Sequence, residues 1–180
     1  MHNDVRLKVG VADFMDFDIR KMVMEDWPLV ANIYAEGIAT GNATFESQVP
    51  DYESWNSSHL ECCRFVAVDK TTVLGWVALS AVSGRCVYGG VAELSVYIAA
   101  KARGKGLGKA LLQEVIDASE KQGFWTLQAG IFPTNKASIA LHERLGFRFI
   151  GKREKVAKSV AGVWTDNLLF ERRSKMVGLN

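Results

Sequence analysis

The chain has 180 residues, 48% hydrophobic and 23% charged, which suits one globular domain with a single core and excludes a wholly disordered chain. A formal net charge of +2 is too small for a nucleic-acid-binding face, and no apolar run approaches the roughly 20 residues of a membrane span. Three cysteines, with Cys62 and Cys63 adjacent and Cys86 apart, make neither a disulfide framework nor a zinc spacing; they suit a reducing cytoplasm, with the adjacent pair read as small buried hydrophobes.

In chain order, the regular pattern begins near Asp18, so residues 1–17 read as a poorly ordered extension; Asp4, Asp13 and Asp16 within its apolar residues set it apart from a secretory signal. The domain proper is expected over 18–175, with a short tail at 176–180. Residues 19–22 read as a first strand. Glu25, Asp26 and Pro28 mark a helix start, and Val30, Ile33, Tyr34, Gly37 and Ile38 follow at helical spacing. Residues 40–44 break the pattern as a loop, and a short helix containing Tyr52 and Trp55 follows Pro50. The period then changes. Residues 64–68 and 73–79 are β-type runs around a polar turn at 69–72, a hairpin. After a loop over 80–90, residues 91–98 form a strand with Ala92, Leu94, Val96 and Ile98 on one face and Glu93, Ser95 and Tyr97 on the other. An amphipathic helix carries Leu107, Leu111, Val115 and Ala118, widened by Leu112 and Ile116, and ends at Gly123. A strand over 125–131, a helix over 138–145 stopped by Gly146, and strands over 147–150 and 164–170 complete an α+β layered pattern.

The turn between the strand at 91–98 and its following helix reads Arg103-Gly104-Lys105-Gly106-Leu107-Gly108. Glycine allows positive φ and close backbone approach, a helix start offers free N–H groups, and Arg103, Lys105 and Lys109 add positive charge. Together they make a pyrophosphate cradle. It is neither a Walker loop, since Ala110 follows Gly108-Lys109, nor a dinucleotide fingerprint, which needs a third glycine at the sixth position. A purely structural strand-to-helix turn stays open on the spacing alone.

A second pattern lies downstream, with Asn135, Ser138, Leu141, His142, Gly146 and Phe147 in one block. With the glycine turn, it resembles the GCN5-related N-acetyltransferase (GNAT) superfamily. The stretches 92–98, 127–143, 162–166 and 169–173 are similar to its phosphinothricin acetyltransferases, over roughly residues 19–173 in all. The resemblance implies a layered fold with a mixed, mostly antiparallel sheet flanked by helices, acetyl-CoA as cosubstrate, no metal, and a homodimer. It also implies that residues 103–108 wrap the CoA pyrophosphate, with Asn135 near the pantetheine arm and Ser138 on the helix that closes over the thioester.

Transfer of an acetyl group to an amine requires a base, because only the neutral amine attacks. Glu93 is a lone carboxylate in an apolar run, read either as desolvated, which favours its protonated form, or as solvated on an exposed sheet face; the resemblance makes it the base. His142, four residues after Ser138 on one helix face, is expected to accept or donate a proton. His2 and His59 stand outside any such pattern. Backbone N–H groups over Val96, Tyr97 and Ile98 are expected to polarise the thioester carbonyl if the strands splay there, as the resemblance implies.

For the acceptor, Thr44, Phe45 and Glu46 match a stretch that lies near the acceptor pocket in the family, and Trp76 and Tyr88 read either as walls of that pocket or as core aromatics. Typical members carry two arginines before the central strand; here Ser83 replaces the first and Arg85 keeps the second, so Arg85 alone is expected to pair with an anionic head group. Three readings follow: an acetyltransferase for amino-acid analogues such as phosphinothricin, methionine sulfoximine, methionine sulfone or arsinothricin; one for a protein N-terminus or polyamine; and a non-catalytic acyl-CoA-binding module. Glu93 and His142 disfavour the last, and Arg85 disfavours a polyamine.

Overall fold

The computed structural model describes residues 16–179. The extension expected over 1–17 therefore lies outside the described residues except at its end, where Phe17 packs against the core. A seven-stranded sheet runs in the order β1-β2-β3-β4-β5-β7-β6, with β1 Asp18–Lys21, β2 Phe65–Asp69, β3 Thr72–Ala81, β4 Val91–Ile98, β5 Thr126–Ile131, β6 Arg148–Lys158 and β7 Trp164–Arg173. Every neighbouring pair is antiparallel except β4 with β5. Helices α1 Trp27–Ala39, α2 Tyr52–Ser58, α3 Leu107–Lys121 and α4 Lys136–Arg144 cover the sheet. This is the mixed, mostly antiparallel α+β layering the sequence predicts.

α3 forms where its apolar stripe predicts, and Leu107, Leu111, Leu112, Val115 and Ile116 are all buried. α1 has Pro28 in its first turn, where the missing N–H costs nothing, and it buries Val30, Ile33 and Tyr34. Asp51 caps α2 by accepting from the Ser54 N–H at 2.7 Å. β2 and β3 are buried on both faces and read as continuous apolar runs, as interior strands do.

Two boundaries differ from the sequence expectation by three residues or more. β6 continues to Lys158 instead of stopping at Ile150, and β7 reaches Arg173 instead of Phe170. β6 is an edge strand open to solvent on both faces, so it carries charges at successive positions and shows no period-two signal. On β4, Ala92 and Leu94 are buried as expected, but Val96 and Ile98 are only half-buried, because β5 is no longer paired to β4 beyond Glu93. Among the described residues, no helix is long and apolar enough to cross a membrane.

Candidate active site

β4 and β5 pair only where Val91, Ala92 and Glu93 meet Thr126, Leu127 and Gln128. Both strands run on, to Ile98 and Ile131, without further pairing. A gap therefore opens in the middle of the sheet. On its other side β4 stays paired to β3, and the Ala99 N–H donates to the Leu74 carbonyl at 2.9 Å. Backbone groups alternate along a strand, so Tyr97 and Ser95 also face β3, and the N–H groups of Val96 and Ile98 face the gap. The splay that the resemblance implied is thus a matter of register.

The gap opens into a cleft of about 200 Å³ that brings together Glu93, Val96, Tyr97, Thr44, Phe45, Asn135, Ser138 and His142. Eight residues singled out in the sequence thus meet at one place, from β4, α4 and the loop after α1. Glu93 is exposed at the cleft, on the solvated side of the two readings, and pairing to β5 ends at this residue.

His142 is the opposite case. It is 2% exposed, stacked edge-on against Phe147, and its Nδ1 lies 2.8 Å from the Ser138 carbonyl. Burial holds the ring below histidine's ordinary pKa, against the smaller opposing effect of that carbonyl. A neutral ring beside a carbonyl acceptor carries its proton on Nδ1. Its Nε2, buried and without a partner among the described residues, is therefore a bare lone pair. In this state His142 accepts a proton, and it can donate one from Nε2 only after having taken one. Asn135 holds the site's shape: its Oδ1 accepts from the Ser138 N–H at 3.1 Å, capping α4, and its Nδ2 donates to the Asn42 carbonyl at 3.1 Å.

The glycine turn follows β4 after a 3-10 turn over Ala100–Ala102, and Arg103 Nε donates back to the Ile98 carbonyl at 3.2 Å; Ile98 and residues 103–108 line neither the cleft nor the cavity beside it. Gly104 and Gly106 have φ of +75° and +87°, and Gly106 is the N-cap of α3. A Cβ built on either meets nothing within 4 Å, so these glycines serve backbone conformation and leave open space beside the turn. Ala110 N–H is bonded to the Gly106 carbonyl, while Leu107, Gly108 and Lys109 N–H have no carbonyl one turn back. An anion has three donors and the positive helix end available there. Gly108 does a different job: a Cβ there would sit 3.1 Å from Leu141, so its absence lets α3 and α4 approach.

A second cavity of about 380 Å³ adjoins the cleft through shared Thr44, Ser95 and Tyr97, and Glu46 lines it. His59, for which the sequence offered no role, also faces it. Its Nδ1 lies 2.8 Å from the Trp55 carbonyl, and burial holds it below its ordinary pKa. The sequence also missed Arg153 on β6 and Asn167 on β7, which line the cleft. Neither shows any local signal, because both enter through pairing of the last two strands.

Three candidate acceptor contacts lie elsewhere. Trp76 is fully buried, stacked on Tyr97 at 4.8 Å and edge-on to Trp55 and Tyr34; it sits on an interior strand and backs the cleft's wall without forming it. Arg85 and Tyr88 are exposed, pair with each other at 5.6 Å, and line neither cavity, because the loop after β3 carries them outward. As for the cysteines, Cys63 is buried and Cys62 half-buried, and burial together with Cys62 pushes the Cys63 thiol up to about 12, far from a nucleophile's range.

A seven-stranded sheet split between its one parallel pair, with a glycine cradle following the split strand, defines an acyltransferase fold, and the model of the acetyltransferase (GNAT) family matches residues 19–147. The chain belongs to that family and is an N-acetyltransferase. Within it, the chain is 33% identical over 168 residues to an L-methionine sulfoximine/L-methionine sulfone acetyltransferase of Pseudomonas paraeruginosa, covering 84% of this chain and 91% of that one. Its fold matches a phosphinothricin acetyltransferase of Sinorhizobium meliloti solved with acetyl-CoA, at TM-score 0.83 and 31% identity, over 92% of both chains. It also matches a ribosomal-protein-alanine N-acetyltransferase of Brucella melitensis, at TM-score 0.79 and 29% identity, over 87% of this chain and 99% of that one.

Proposed function

We propose that the chain transfers the acetyl group of acetyl-CoA to the amine of a small amino-acid-like acceptor of the phosphinothricin, methionine sulfoximine or sulfone, or arsinothricin type. The observation that carries this reading is the convergence of Glu93, His142 and Val96, beyond the end of the β4–β5 pairing, on one cleft. The relatives' own acceptors supply the substrate class.

Each residue then has a task. The turn at 103–108 and the start of α3 hold the pyrophosphate. The N–H groups of Val96 and Ile98 stabilise the charge that grows on the thioester oxygen. Glu93 takes the proton from the acceptor ammonium, directly or through one water, and the amine then attacks. The tetrahedral adduct loses its second N–H proton to His142 Nε2, and the protonated ring returns it to the departing CoA sulfur. An amide and a free thiol result; His142 is neutral again, and Glu93, which the solvent reaches, passes the ammonium proton to water.

A screen of amino-acid analogues and simple amines for free-thiol release tests the acceptor class; release with simple amines and none with the analogues overturns it. An alanine-terminated peptide belongs in the same screen, because of the likeness to the ribosomal-protein-alanine enzyme; its preference over every small acceptor would establish that second reading. For the donor site, Gly106→Val forces a branched residue into φ +87°, at a cost of about 1–3 kcal/mol that the bound turn must carry. The expected result is acetyl-CoA affinity lowered at least several-fold by calorimetry, and unchanged affinity in the folded variant would remove the cradle from this site. The homodimer rests on the resemblance and on exposed apolar residues of the β6–β7 hairpin, including Phe149, Val163 and Trp164. Light scattering that finds only a 19.9 kDa species would exclude it.

A further inference from the structure

An amino-acid acceptor carries an anionic group beside the amine that reacts, and its cleft needs a cation. Arg85, which the sequence pointed to, lines neither cavity. Among the described residues lining the two cavities, Arg153 is the only one with a permanent positive charge. We propose that Arg153, positioned by Asn167, anchors the acceptor's carboxylate and makes the cleft selective for anionic amines. This rests on the acceptor class proposed above.

Arg153 stands opposite Asn167 in the β6–β7 ladder, and its Nη2 donates to Asn167 Oδ1 at 2.6 Å. Asn167 is 4% exposed, so the amide is a fixed hold for a side chain that is otherwise open to solvent. Just past Arg153 the register shifts, so that Ala157 meets Thr165, and the bulge is pinned by the Lys155 N–H donating to Asp166 Oδ1 at 2.8 Å. Bulges of this kind fix the aim of the side chains beside them.

The neighbouring strand makes room for the pair. A Cβ on Gly130 of β5 would lie 2.9 Å from Asn167 Oδ1 and 3.4 Å from Arg153 Nη2. Gly130 lies two residues beyond Gln128, which is in register with Glu93. Side chains two apart share a face, so the guanidinium reaches the face of the sheet that carries Glu93. Of its five donors, one is spent on Asn167, which leaves an edge for a two-oxygen anion. A zwitterion bound this way has its carboxylate at Arg153 and its ammonium free to meet Glu93.

The test compares two acceptors that differ only in the carboxylate: methionine sulfone and 3-(methylsulfonyl)propylamine. Losing a charged hydrogen bond should lower kcat/KM for methionine sulfone about 10- to 100-fold in Arg153→Ala, through KM, and leave the decarboxylated amine and acetyl-CoA within about threefold. Arg153→Lys should recover part of the loss, since a point charge lacks the fork. Asn167→Leu should give a smaller loss in the same KM, whereas a merely structural role would move kcat for both acceptors. Equal losses on both amines in Arg153→Ala, no loss on either, or a loss of the preference in Arg85→Ala instead, would overturn the assignment while acetylation itself stands. If the wild type acetylates neither amine, the acceptor class fails. Calorimetry of methionine sulfone with wild type and Arg153→Ala then decides: weaker binding in the variant keeps the anchor, and equal or absent binding in both removes it.

Discussion

Glu93→Gln is expected to bind acetyl-CoA as the wild type does and to turn over about 10²–10⁴-fold more slowly. Glutamine keeps the size and hydrogen bonding of the side chain, and Glu93 is exposed at the end of the β4–β5 pairing, so the fold has no stake in its charge. What is lost is the acceptor for the ammonium proton. Because the site is open, a water can relay that proton, and kcat is the parameter to watch. Turnover at the wild-type rate would remove Glu93 from the chemistry and leave His142 as the base. The pH profile separates the two residues. Burial holds His142 below its ordinary value near 6.5, so the ring is neutral at pH 7. Its accepting form is lost only as pH falls below that value, and kcat/KM should decline on that side. Stability follows the same sign: the unfolded chain binds the proton first, so the folded state weakens as pH drops from about 6.5 toward the folded value. His142→Gln should abolish this acid limb, and a limb that persists unchanged would clear the ring of any part in proton transfer.

Trp76→Ala is expected to cost about 3–5 kcal/mol in urea denaturation, the usual result of emptying a fully buried aromatic site. Trp76 lies between Tyr34, Trp55 and Tyr97, each within 5.7 Å of it centroid to centroid. Tyr97 lines both cavities and leans on Trp76, so the cavity left behind should also loosen acceptor binding in whatever fraction stays folded. The order of effects matters: stability falls first, and acceptor KM follows through Tyr97. If a milder change, Trp76→Phe, shifted acceptor KM tenfold with the urea midpoint unmoved, Trp76 would be a contact residue after all and its burial misleading.

The sequence by itself determined the elements whose signal is local. α3 announced itself by a stripe that must be buried, β2 and β3 by apolar runs bounded by turns, and the glycine turn by residues at which positive φ is inexpensive. The family motifs named Glu93 and His142, and both line the cleft. Only the tertiary structure decided what depends on partners far along the chain. Whether β4 and β5 stay paired past Glu93 is a matter of register between strands more than thirty residues apart, and no periodicity in either strand reports it. The same holds for burial: a lone glutamate in an apolar run reads as desolvated or as solvated, and the end of a ladder leaves it open. A tryptophan reads equally as wall or core until its neighbours are known. Arg153 reaches the cleft because β6 folds back over β7 and because Gly130, on a third strand, leaves space for it. In an edge strand charged on both faces nothing in the local pattern marks one arginine from the next; their difference is made by the strand each one faces.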